Sequence, residues 1–77
     1  MPALNARERE IVALLLQGMG NKEIAAALKM PKRTVKAHFN RMFYRFRIKD
    51  GIKRVKLAVI LYRKELEDED RNRSAAA

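Results

Sequence analysis

Between Lys29 and Lys64 the chain carries thirteen basic side chains and one acid, Asp50, a net charge of +12 in a single stretch. The preceding residues are neutral, with Arg7, Arg9 and Lys22 against Glu8, Glu10 and Glu23. From Glu65 onward the balance is −3, which leaves +9 over 77 residues. The chemistry available to such a block is the binding of a polyanion, because both the local field and counterion release scale with clustered charge. A charge run can equally be a solvated face, so charge alone does not decide the matter.

Other chemistries are poorly supplied. There is no cysteine and one histidine, so neither a disulfide framework nor a Cys/His zinc site can be assembled, and no thiol nucleophile exists. His38 has no second His, Cys or paired carboxylate on its helical face and reads as a partly buried structural residue. A chain of this length forms one domain. Small domains bury only about 60% of their unfolded surface, which leaves no room for a catalytic cleft beside a core. No enzyme activity, cofactor or metal is expected. The N-terminus lacks the basic-then-apolar order of a signal peptide, and no apolar run approaches the roughly 18 residues of a membrane span. The expectation is a soluble, cytoplasmic, basic domain without a membrane partner.

The elements that must position the basic residues are all helical, with no strand alternation and no repeat. The first helix starts at Asn5, an N-cap type, with Glu8 placed to return a bond to the cap, and carries an apolar stripe of Ile11, Val12, Leu14 and Leu15. Gly18 ends it. A second, short helix follows Gly20, with Glu23 in its first turn and Ile24, Ala25 and Leu28 facing inward. Lys29-Met30-Pro31 breaks it, and proline opens a third helix that runs to about Phe46. A polar link, 47–51, leads to a fourth helix from about Ile52 to Glu65. Residues 67–77 form an acidic and alanine-rich tail expected to lack structure.

At 3.6 residues per turn the third helix divides into two faces. Val35, His38, Phe39, Met42 and Phe46 share one. Lys32, Arg33, Lys36, Ala37, Asn40, Arg41 and Tyr44 share the other. Phe43 falls between them and could serve the core edge, a nucleic acid or a partner. An exposed helix usually interleaves Glu with Lys, whereas this one has no acid at all. Within the basic face, Ala37 permits close approach and Asn40 offers an amide suited to a base edge.

Two short helices joined by a tight turn, the second of them basic, form a helix-turn-helix pattern. The segments Leu4-Asn5-Ala6-Arg7-Glu8-Arg9-Glu10, Gly18-Met19-Gly20-Asn21-Lys22-Glu23-Ile24-Ala25 and Thr34-Val35-Lys36-Ala37-His38 closely resemble the LuxR-type (NarL/FixJ, GerE-like) DNA-binding domain. The resemblance spans about residues 4–64. It implies an all-α, four-helix domain over residues 1–66, with the helix-turn-helix unit at 21–40, a recognition helix at about 32–46 and a dimerisation helix at about 52–65. The function it implies is that of a sequence-specific, DNA-binding transcriptional regulator. Its partners would be double-stranded DNA, a second copy of the chain and RNA polymerase.

Carried over position by position, Lys36, Ala37 and Asn40 fall where the family reads base edges. Asn21, Lys22, Lys32, Arg33, Thr34, Arg41 and Arg45 fall where phosphate contacts are expected. Gly20 and Pro31 depart from the family's hydroxyl-bearing caps, and Ile52 and Arg54 from a small capping residue and Ala. On the fourth helix Val55, Val59, Tyr62 and Leu66 define one stripe, which Leu57, Ile60 and Leu61 widen. A domain this small buries only one stripe, so Val55, Val59, Ile60 and Tyr62 are expected at a two-fold interface. The competing reading is a helical adaptor that binds a protein partner through the fourth helix and uses its charge only for solubility. The chain reads either as a stand-alone regulator, which Met1 favours, or as a piece of a longer one.

Overall fold

The computed structural model describes residues 3–76, with side chains as far as Asp70. Its elements are α1 (Ala6–Leu16), α2 (Asn21–Leu28), α3 (Lys32–Arg45) and α4 (Lys53–Ala76), and no strand occurs among the described residues. Local chemistry accounts for the helix starts. Asn5 Oδ1 accepts the Glu8 N–H at 2.8 Å and Glu8 Oε1 accepts the Asn5 N–H at 2.9 Å, a reciprocal capping box. At α2 only half of that device exists: the Gly20 N–H donates to Glu23 Oε1 at 3.3 Å, and glycine has no side chain to return the bond. Pro31, with φ −63°, is set for entry into α3 but caps it with its carbonyl alone.

The first three helices end in the same way. Met19 N–H reaches back to the Leu14 carbonyl, Met30 to Ala25 and Ile48 to Phe43, at 3.2, 3.0 and 2.8 Å. Each bond spans a residue in the left-handed region, at Gly18, Lys29 and Arg47. This is the Schellman arrangement, in which otherwise orphaned terminal carbonyls find donors. Glycine takes that conformation freely at position 18; Lys29 and Arg47 take it at a steric cost while placing cations at negative helix ends.

Every helix contributes to one core: Ile11, Val12 and Leu15; Ile24 and Ala25; Val35, Phe39 and Met42; Leu57 and Leu61, with Ile48 from the link. Three- and four-residue spacings put the sets of α1, α3 and α4 each on one helical face, and in α2 the neighbours Ile24 and Ala25 share the inward side. Full burial of a large aliphatic or aromatic side chain stabilises by about 1.5–3 kcal/mol, and Phe39 is the largest fully buried residue. Phe43 stacks on Phe39 with centroids 5.9 Å apart, which assigns it to the core edge.

Two arginines tie the helices together through polar contacts. Glu8, only 2% exposed, is paired with Arg45, which also donates to the Ala3 carbonyl at 3.1 Å and so clasps the start of α1 to the end of α3. Arg54 lies over the Phe39 ring at 5.2 Å and donates to the Met19 carbonyl at 2.6 Å, fastening α4 to the turn before α2.

α4 differs from the sequence expectation. It begins at Lys53, leaving Ile52 outside and 72% exposed, and runs past Glu65 to Ala76 rather than giving way to a tail at 67–77. No glycine or proline follows Gly51, and Glu, Leu, Arg and Ala are strong helix formers, so nothing in the sequence stops the helix where the core ends. Ala77 lies outside the described residues.

Candidate nucleic-acid interface

α2 and α3, joined by the tight Lys29–Pro31 turn, present the outer face of α3 beyond the core. Val35, Phe39 and Met42 point inward, and the faces between them carry the polar groups. Lys32, Arg33, Lys36, Asn40 and Arg41 are exposed, while Thr34 and Ala37 are half-buried. None of the ion pairs among the described residues involves Lys32, Arg33, Lys36 or Arg41. With no side-chain cap at Pro31, the N–H groups of Lys32 and Arg33 lack intrahelical acceptors, and the positive helix end opens beside their side chains. Backbone donors, a hydroxyl and cations at a helix N-terminus are the components of a phosphate site.

α2 adds exposed Lys22 and half-buried Asn21, whose Oδ1 is buried without a partner. Arg45 is placed differently from the other expected phosphate contacts. Its guanidinium is held by Glu8 and the Ala3 carbonyl, so it serves the fold. Tyr44, which the residue pattern put on the outward face but not among contacts, is 86% exposed beside Asn40 and Arg41. Its position seven residues after Ala37, two helical turns on, was the signal. Arg54 is the other structural residue not anticipated, because only the fold brings Phe39 and the Met19 carbonyl to it.

His38 is half-buried on the flank of α3 with Nδ1 buried and unpartnered. Burial, and then the positive charges of Arg41 and Arg7, hold its pKa below the usual 6.5. No group of three or more possible metal ligands occurs among the described residues, and no described helix is long and apolar enough to cross a membrane.

On α4, Val55, Val59 and Tyr62 are 55, 42 and 53% exposed, continuing from Ile52 and on to Leu66. Ile60, expected with them, is half-buried and packs against the core beside Leu57 and Leu61, because it lies on the flank of the buried face.

Fold and site together define a helix-turn-helix domain whose second helix has a basic outer face. Residues 2–60 match the family described as bacterial regulatory proteins, luxR family, and the chain belongs to that family. It is 36% identical over 63 residues to the nitrate/nitrite response regulator protein NarL of Escherichia coli (strain K12), covering 82% of this chain and 28% of NarL. It is 42% identical over 50 residues to YhjB of the same strain, whose name marks it as a candidate HTH-type transcriptional regulator, covering 65% of this chain and 25% of YhjB. The chain thus matches about a quarter of the length of these relatives.

Proposed function

We propose that this domain binds double-stranded DNA sequence-specifically and regulates transcription, with α3 in the major groove. The observation that carries this reading is the acid-free outer face of α3, where Lys32, Arg33, Lys36 and Arg41 surround Ala37 and Asn40. In it Lys36, Ala37 and Asn40 meet base edges, and Asn21, Lys22, Lys32, Arg33, Thr34 and Arg41 meet phosphates. Tyr44 extends the surface toward the end of α3. Arg45 contributes by holding α3 against α1.

The exposed stripe of α4 supports a homodimer through Val55, Val59 and Tyr62. Two recognition helices would then meet half-sites about one turn, roughly 10 base pairs, apart. RNA polymerase is the further partner such a regulator would meet in the cytoplasm, and none of these roles requires catalysis.

A salt titration of binding to a site selected from random DNA tests the reading. The logarithm of affinity should fall steeply and linearly with the logarithm of salt concentration. Binding that is absent at low salt, while α4 still captures a protein partner, would support the adaptor reading instead.

A further inference from the structure

α4 is divided into two segments of opposite charge. Its first twelve residues hold Lys53, Arg54, Lys56, Arg63 and Lys64 with no acid, and the next six hold Glu65, Glu67, Asp68, Glu69 and Asp70 with no base. At its start the order opposes the helix dipole, since Lys53, Arg54 and Lys56 stand in the first turn, where acids are favoured. Arg54 turns inward and Lys56 meets Asp50 at 3.1 Å. Among the described residues, no ion pair involves Lys53, Arg63, Lys64 or the acids from Glu65 to Asp70.

From Ile52, just before the helix, and along it, Val55, Val59, Tyr62 and Leu66 follow at alternating spacings of three and four, the seam of a two-helix coil. All five are exposed. The seam passes from the basic segment into the acidic one, which lies beyond the family match ending at residue 60.

We infer that the seam is covered by α4 of a second copy lying antiparallel and crossing near Val59, with residues 65–70 of each copy beside Lys49 and Lys53 at the basic entry to α4 of the other. Parallel pairing sets acid on acid and base on base. Antiparallel pairing brings opposite charges together at both ends of the seam, opposes the two helix dipoles and supplies acids near the basic first turn. This rests on the homodimer reading above and adds the orientation of the pair and a role for the acidic segment.

The chain has no cysteine, so spin labels can be placed at single sites without background. Lys56, Arg63 and Asp70 lie seven residues apart on one face of α4, and each is exposed. Lys56→Cys, Arg63→Cys and Asp70→Cys, labelled singly, should give a much longer intermolecular distance at Asp70→Cys than at the other two sites in the full chain. Separation rises by about 3 Å per residue away from the crossing point, and mixed Lys56→Cys and Asp70→Cys copies should give a short distance. Neutralising the segment with Glu67→Gln, Asp68→Asn, Glu69→Gln and Asp70→Asn should weaken the dimer about tenfold at low salt and flatten its salt dependence. Circular dichroism checks that helix content is kept.

A chain that stays monomeric at every concentration overturns the homodimer reading and this inference with it. A dimer with three short and equal single-site distances overturns the antiparallel orientation alone. An antiparallel dimer indifferent to neutralisation overturns the role of residues 65–70, as does a short distance between labels at Lys36→Cys and Asp70→Cys, which would put the acids on the α3 face.

Discussion

Arg33 and Arg41 belong to the same basic block as Arg45 and Arg54, yet the fold puts the two pairs to opposite uses. The first pair stands exposed on the outer face of α3. The second pair turns inward, Arg45 to buried Glu8 and Arg54 to Phe39 and the Met19 carbonyl. Net charge therefore overstates the exposed basic surface, since part of the +12 is consumed in holding the helices that present the rest. A guanidinium suits both tasks, because it can donate several bonds in a plane and stack on a ring.

The largest perturbation that separates the two uses is Phe39→Ala. It empties the centre of the core and removes the ring beneath Arg54, and should cost about 3–5 kcal/mol in chemical denaturation. Next, Arg45→Ala leaves Glu8 buried without its partner and should cost about 1–3 kcal/mol, a range that allows for the partly exposed guanidinium. The salt slope of DNA binding should be unchanged in that variant. Arg41→Ala should behave in the opposite way, with stability kept within about 0.5 kcal/mol. Its affinity should fall alike on all sequences and its salt slope should drop by about one. If both arginines change the slope equally, the distinction between them fails.

Smaller effects sharpen the picture of the scaffold. Lys29→Gly relieves a left-handed lysine in the turn between α2 and α3 and should raise stability by about 0.5–1 kcal/mol, read as a shift in the denaturation midpoint. His38 should impose a weak pH dependence. Its pKa is lowered in the folded state by burial and by Arg41 and Arg7, so the unfolded chain binds more protons in the window below the usual 6.5. Stability is then lost as pH falls through that window, and His38→Gln should flatten this part of the profile.

What was legible in the sequence was what short-range chemistry determines. The Asn5 and Glu8 cap, the stop at Gly18, the entry at Pro31 and the two faces of α3 all rest on neighbours a few residues apart, and the structure has each of them. Lys29 and Arg47 end helices as Gly18 does, but a lysine or arginine carries no such signal. From the sequence Arg45 reads as a phosphate contact and Arg54 as a departure from the family's Ala, because their partners, Glu8 and Met19, are distant in sequence and are brought near by packing. Ile60 was grouped with the exposed stripe of α4 because periodicity marks an apolar surface without saying which edge the core will take. The length of α4 was missed for a different reason: acidic composition suggested a solvated tail, while the propensities of the same residues favour helix.

The central claim, that the outer face of α3 reads DNA bases, is tested most directly by selecting sites from random DNA with the native chain and with Lys36→Ala. Discrimination should be lost at one or two adjacent base pairs in each half-site, by about 1–3 kcal/mol per contacted pair, while preferences elsewhere in the site persist. Identical selected sites and equal affinities for the two proteins would contradict the account.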